Sequence, residues 1–240
     1  MSLSLTSATS YYFLSDPDSL CVPTDFYCRP LPTLIEPSHL PKVIAPSLHD
    51  ADPLIAVDSN QVKVLSHYWN EGYTNSYKTA FVRSSVATRL YAAVKALPIG
   101  FGLAVFDAYR DLDLQTKIYE KVYADPSVPH GFVSQPSTNP STPPPHLTGG
   151  AVDVTLTYQD CPLALGSNFD EFTDLAHASA YEKTPGKIRK LRRLLFWTMH
   201  DQGFRVLNCE WWHFEIGTPR WSAITEKEPW YGPTHVEDPS

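Results

Sequence analysis

Apolar residues recur at near-helical spacing between residues 77 and 97, at Phe81, Val86, Leu90, Val94 and Leu97, and Pro98 ends the run. The spacing predicts a helix over 77–97. GFGLAVFDA (100–108) is short, apolar and β-rich, the pattern of a buried strand. Leu114, Ile118 and Val122 mark one face of a second helix. GGAVDVTLTY (149–158) alternates, with Val152, Val154 and Leu156 on one side and Asp153, Thr155 and Thr157 on the other, which predicts a strand. Thr184 and Pro185 read as an N-cap and first helical position. The helix they open carries Ile188, Leu191, Leu195 and Met199 inward, basic residues outward, and stops at Gly203. Two strands, 204–208 and 210–216, follow. Helices interspersed with short strands predict an α+β fold, a mostly antiparallel sheet with flanking helices.

Proline changes the picture of the termini. The chain has 22 prolines in 240 residues, concentrated in 16–53 and 126–145. The first run predicts a proline-rich N-terminal extension, residues 1–55, that wraps the remaining domain (56–240) or stays mobile. The second is a long loop that ends directly on His146, and long loops inside compact domains are usually functional or disordered.

Composition excludes several classes. Hydrophobic residues are 42% and charged residues 19%, enough apolar content for a core. Lys+Arg 19 against Asp+Glu 26 gives −7, which argues against nucleic acid and against an anionic membrane surface as partners. No apolar run approaches the roughly 20 residues of a spanning helix. Residues 1–15 lack the pattern of a signal peptide, so the expected location is the cytoplasm. Four cysteines without CxxC spacing make neither a disulfide scaffold nor a thiolate zinc knuckle, although Cys21 and Cys28 could close a local loop. Cys209 is expected in the core. The sequence does not set an oligomeric state.

A catalytic zinc takes three N or O ligands and keeps one open position. Two histidines stand apart from those in proline-rich or tail segments. His146 precedes a Gly-containing turn, with Asp153 seven residues on; His213 lies in a Trp-rich segment, with Glu210 three residues before it. Two neutral imidazoles and one carboxylate would hold Zn2+, one per chain, with Glu210 as the base that takes a proton from water and returns it to a leaving amine. One geometric objection stands. On a regular strand, positions 210 and 213 point to opposite faces, so the pattern requires a bend or bulge at Glu210.

These residues resemble the VanX-type D-alanyl-D-alanine dipeptidases, whose pattern is SxHxxGxAxD followed by ExWH. Here the matching stretches read PPHLTGGAVD (144–153) and EWWH (210–213). FDAYR (106–110) resembles the family's DGYRP strand end, LGSNFDEF (165–172) its MGTxFDxF, and 190–204 its arginine-rich helix. The resemblance covers about residues 60–220 with the motifs in the family's order. It implies a zinc metallopeptidase that hydrolyses D-Ala-D-Ala or a similar short D-configured dipeptide, its small-molecule partner. His146, Asp153 and His213 would bind zinc, Glu210 and Arg110 would be catalytic, and Asp170 would receive the substrate's α-ammonium. Read without the resemblance, Arg110 is a salt-bridge partner of Asp107 or Asp111, and Asp170 a helix cap. The chain departs from the family pattern at Pro144 (Ser in the family), at Asp111 (Pro) and at Ser66 (a substrate-contacting Tyr), where Tyr68 and His67 lie close by. All three departures touch substrate recognition and none touches metal ligation. Two alternatives remain: a D,D-carboxypeptidase or endopeptidase on peptidoglycan stems, favoured by an open longer groove, and a non-catalytic zinc-stabilised binding domain.

Overall fold

The computed structural model describes residues 14–26, 29–41 and 52–236. Within them the chain runs through β1 (Leu54–Ala56), β2 (Lys63–Val64), α1 (His67–Asn70), β3 (Phe81–Arg83), α2 (Ser84–Ala96), β4 (Phe101–Asp107), α3 (Leu112–Tyr123), β5 (Ala151–Tyr158), β6 (Cys161–Pro162), α4 (Lys187–Asp201), β7 (Arg205–Val206), β8 (His213–Glu215) and α5 (Pro219–Thr225). The fold is α+β. Its main sheet has the order β2-β4-β5-β8-β7, with β6 paired to the far end of β5. Only the β2–β4 pair is parallel; the other pairs are antiparallel. β1 and β3 form a separate antiparallel ribbon.

The two longest strands, β4 and β5, pair at the centre because both are apolar on the faces they bury. Every residue of β5 except Tyr158 is buried, so the Asp153–Thr155–Thr157 face is covered as well. The alternation there separates two covered faces rather than core from water. Thr155 satisfies its hydroxyl on the carbonyl of Leu163, as a buried polar group must. The helices α2 and α4 pack on each other and against β4 and β5, respectively.

Tertiary pairing shortens several sequence-predicted elements. The helix expected over 77–97 begins only at Ser84, because residues 81–83 pair with β1. The helix expected from Thr184 begins at Lys187 after Gly186, whose φ of 156° lies outside the range favoured by other residues. Its basic residues do not all face outward. Arg192 is buried and donates to the carbonyls of Leu165, His177 and Leu175, at 2.6, 2.8 and 2.8 Å. It ties down the segment that carries Asp170. Strand 210–216 is reduced to His213–Glu215.

The described N-terminal segments lie along the domain. Ser15 bridges to Leu163, Trp197 donates to the carbonyl of Arg29, and Asn208 N–H donates to that of Ile35. Val22 is buried. Cys28 lies outside the described residues, and with it the pairing of Cys21 and Cys28. No helix among the described residues is long and apolar enough to cross a membrane.

Candidate active site

The loop before β5 sets His146. A 3-10 turn, Pro145–Thr148, carries it and ends on Gly149 at φ 72°. The next residue, Gly150, lies so close to β8 that a Cβ would sit 2.6 Å from the carbonyl oxygen of Ile216. The two glycines therefore let the chain turn from His146 into β5 while hugging the neighbouring strand. β5 then presents Asp153 directly opposite His213 of β8.

Three donor atoms converge. His213 Nδ1 lies 3.0 Å from Asp153 Oδ1 and 3.1 Å from His146 Nε2, and His146 Nε2 lies 3.3 Å from Asp153 Oδ2. Tetrahedral coordination with bonds of about 2.0–2.1 Å puts neighbouring ligands about 3.3 Å apart. Donor identity and spacing both fit a small divalent cation, and all three residues are buried. The outer partners fit too. His146 Nδ1 sits 2.6 Å from the carbonyl oxygen of Ala108, which can only accept, so Nδ1 carries the hydrogen and Nε2 offers its lone pair. Burial, with Arg220 and His146 adding to it, holds the His213 imidazole below its ordinary pKa despite Asp153. Burial pushes the Asp153 carboxyl up, but His146 and His213 outweigh that and keep it ionised.

Glu210 escapes the strand geometry that threatened it. A turn at 208–209 and a bend at 211–212 flank Glu210, and β8 starts only at His213, so Glu210 and His213 line the same cleft. The Glu210 side chain makes no hydrogen bond among the described residues. Burial, and then the charges of Asp153 and Asp170, raise its pKa well above the carboxylate range.

A bulge between Val105 and Asp107 brings Asp107 opposite Asp153. Arg110 answers this crowding. Its Nε donates to Asp107 at 2.9 Å and its Nη1 to Gln115 Oε1 at 3.0 Å. Its Nη2 lies 2.8 Å from Asp107, 3.7 Å from Asp153 and 3.3 Å from the Tyr68 hydroxyl, to which it donates. Asp111 is not its partner; it caps α3 by accepting from Asp113 N–H. The Tyr68 hydroxyl donates to Asp170 Oδ2 at 2.7 Å. Asp170 caps no helix: it sits in a turn at φ 56°, the left-handed region that Asp tolerates better than most. Burial raises its carboxyl to about 7, against the pull of Tyr68 and Arg110.

All six residues singled out by sequence (Glu210, Arg110, Asp170, His146, Asp153 and His213) line one cleft, joined by Tyr68, Gln115 and Arg220. In this conformation its free volume is about 20 Å3, near the size of one water. The loop at Phe132, Val133 and Ser134 lines one part of the cleft. Gln115 pins that loop by donating to the carbonyl of Ser134 at 2.6 Å. A groove of about 620 Å3 adjoins and shares Val133, Ser134, Pro145 and Arg220 with the cleft. Trp211 and Trp212 are buried packing residues that do not line the cleft. His177 stays outside it. Cys209 is buried with Sγ 3.7 Å from the carbonyl of Gly131, and burial pushes its thiol pKa up.

Arg220 gave no motif signal. One local oddity marked it: an arginine in the first turn of a helix opposes the helix dipole, so its partners must be tertiary. Those partners are Glu215, which pairs with Nε, and His213 Nε2, 2.6 Å from Nη2.

Residues 72–226 match the family model described as D-ala-D-ala dipeptidase, peptidase family M15. A D-alanyl-D-alanine dipeptidase of Synechocystis sp. is 26% identical over 219 residues, covering 76% of this chain and 89% of the relative. That of Escherichia coli K12 is 30% identical over 118 residues, covering 49% and 56%. That of Enterococcus faecium is 25% identical over 135 residues, covering 49% and 63%. The crystal structure of the vancomycin-resistance D,D-dipeptidase VanXYg with a D-Ala-D-Ala phosphinate analogue superposes with a TM-score of 0.41 at 17% identity, over 79% of this chain and 67% of that one. With well over half of its length matched by the family model, the chain belongs to the D-ala-D-ala dipeptidase family of metallopeptidases, peptidase family M15.

Proposed function

We propose that this chain hydrolyses D-Ala-D-Ala or a similar short D-configured dipeptide with one zinc ion held by His146, Asp153 and His213. The observation that carries this reading is the Glu210 carboxylate: buried, without a hydrogen-bond partner among the described residues, and in the same cleft as three converging donor atoms. A zinc held only for structure needs no such group. Held by these three residues, a zinc ion would supply Lewis-acid polarisation of the scissile carbonyl and of the attacking water. Glu210 takes the water's proton and delivers it to the leaving amine, a double role for which a raised pKa is suited. Arg110 engages four of its five N–H donors; the fifth, on Nη1, is available to the carbonyl oxygen as negative charge develops there. Asp170, oriented by Tyr68, receives the α-ammonium.

The adjoining groove bears on the carboxypeptidase alternative. It opens beside Arg220 and Ser134 and touches neither Tyr68 nor Asp170. A carboxypeptidase needs room on the amino side of the scissile bond, and the groove does not extend to the Asp170 and Tyr68 part of the cleft. The dipeptidase reading is therefore favoured. Metal analysis, with a panel of D,D-, L,D- and L,L-dipeptides, free and N-acetylated, tests it. One zinc per chain with release of D-alanine from free D-Ala-D-Ala is expected. Tight zinc without hydrolysis of any dipeptide would overturn the dipeptidase reading and leave the peptidoglycan-stem and binding-domain alternatives.

Asp170 gives a pH prediction. Its carboxyl, raised to about 7, must be ionised to bind the ammonium, so kcat/KM falls as pH drops through that region; the charge of a bound dication moves this limb lower. The substrate's own amine, with a pKa of roughly 8, sets the alkaline limb. Asp170→Asn should remove the Asp170 part of the acid limb, leaving that of Glu210, and raise KM for free dipeptides about 10- to 100-fold, the range of a hydrogen bond to a charged group. N-acetylated dipeptides should be nearly unaffected. Equal losses on both would remove the ammonium role.

A further inference from the structure

We infer that Arg220 is the carboxylate anchor of the substrate, the counterpart of Asp170 at the other end of the dipeptide. The inference rests on the dipeptidase reading. A free dipeptide is a zwitterion, and its two residues span about 7 Å when extended. A cleft that binds it needs an anion at one end and a cation at the other.

The two groups reach the three donor atoms through different ligands, Asp170 by way of Asp153 and Arg220 by way of His213. Asp170 touches Tyr68, Tyr68 touches Arg110, and Arg110 approaches Asp153. Arg220 touches His213 directly. Both line the cleft, and Arg220 also lines the groove, so it stands at the mouth between them. The cleft's other arginine, Arg110, has four of its five N–H groups on Asp107, Gln115 and Tyr68, which leaves no pair of donors for a carboxylate.

Arg220 has donors to spare. Its Nε pairs with Glu215, its Nη2 meets His213 Nε2, and its Nη1 has no hydrogen bond among the described residues. The single buried side-chain nitrogen or oxygen left without a partner there is Arg189 Nε, so Arg220 Nη1 reaches open space. The Nη2 contact is also conditional. A guanidinium only donates, so His213 Nε2 must be its acceptor. A neutral imidazole has one N–H; when Nδ1 gives its lone pair to a cation, Nε2 takes the hydrogen and stops accepting. Glu215 Oε1, 3.8 Å away, is the acceptor at hand for that hydrogen. Arg220 is then left with both Nη groups free at the cleft mouth and with Nε still held by Glu215. Two parallel N–H donors on a fixed fork match a carboxylate.

The test compares D-Ala-D-Ala with D-alanyl-D-alaninamide, which keeps the ammonium and both side chains but lacks the anion. Hydrolysis is measured in the zinc-loaded wild type, in Arg220→Met and in Arg220→Lys. Binding is measured by calorimetry in each of these on a Glu210→Gln background. The wild type should prefer the acid over the amide by about 10- to 100-fold. Arg220→Met should treat the two alike. Arg220→Lys should fall between, because an ammonium keeps charge and loses the fork. The acid-to-amide ratio is taken within one preparation, so a smaller folded or zinc-loaded fraction cancels from it. Equal treatment by the wild type, or a preference retained in Arg220→Met, or, should that variant not fold, an undiminished preference in Arg220→Lys, overturns the anchor alone. A wild type that neither binds nor hydrolyses either compound overturns the dipeptidase reading beneath it.

Discussion

Glu210→Gln is expected to lower kcat on D-Ala-D-Ala by about 10^3- to 10^4-fold while zinc stays at one per chain. The magnitude is the upper part of the range for a positioned general acid and base. The substitution keeps shape and volume and removes only the ability to take a proton. Glu210 is not one of the three converging donors, so the metal should remain. A second readout comes from stability. Burial raises the Glu210 carboxyl well above its ordinary 4.5, so the folded chain holds this proton more tightly than the unfolded one. Such a group costs stability as pH rises above the unfolded value. Metal-free Glu210→Gln should therefore melt at a higher temperature than the wild type at pH 8 and at nearly the same temperature near pH 4. Stoichiometric loss of zinc in the variant would instead make Glu210 a ligand.

The sequence pattern reveals those parts of the fold whose cause is local. β4 and β5 are long enough for their apolar content to stand out, and α3 declares itself by its apolar face, although its cap, Asp111, is seen only in the structure. β1, β2, β3, β6 and β7 have two or three residues each, too few for an alternation to be visible. They exist because another segment offers them hydrogen bonds, as β1 does for β3. The same distinction runs through the cleft. His146 and Asp153 share one turn and one strand, so their spacing is informative. Glu210 and His213 are brought to the same side only because the strand begins later than its apolar run suggests. Tyr68 follows a left-handed Ser66 (φ 48°) in a four-residue helix, a local geometry with no periodic signature. Gln115 and Arg220 owe their places to partners from other elements, Arg110 and Ser134 in one case, Glu215 and His213 in the other. Arg192 shows the reverse error: a basic residue in a basic stretch reads as surface, yet three carbonyls of a distant loop draw it inside.

Arg110→Met should be the most damaging single change to the cleft, and it should separate the two roles open to this side chain. The bulge in β4 leaves Asp107 facing Asp153, and Asp170 lies beyond Tyr68, so three carboxylates surround one guanidinium. Burial works against the Arg110 charge, but Tyr68 and these carboxylates outweigh it and keep the group cationic. Removing it strands Asp107 and Asp153 without their cation, and breaking a buried pair from one side costs about 3–5 kcal/mol. Chemical denaturation should show a loss of that size. Gln115 and Tyr68 lose a partner too, which loosens the loop at Ser134 and the Asp170 carboxylate together. If Arg110 only balances charge, Arg110→Lys should recover stability and activity in parallel. If its spare N–H meets the developing oxyanion, Arg110→Lys should recover most of the stability and leave kcat down by about 10^2- to 10^3-fold, because a point charge cannot hold Asp107, Gln115 and Tyr68 and still reach the carbonyl. The second outcome is the expected one. Parallel recovery in the lysine variant, with kcat near the wild-type value, would reduce Arg110 to the salt-bridge partner of Asp107.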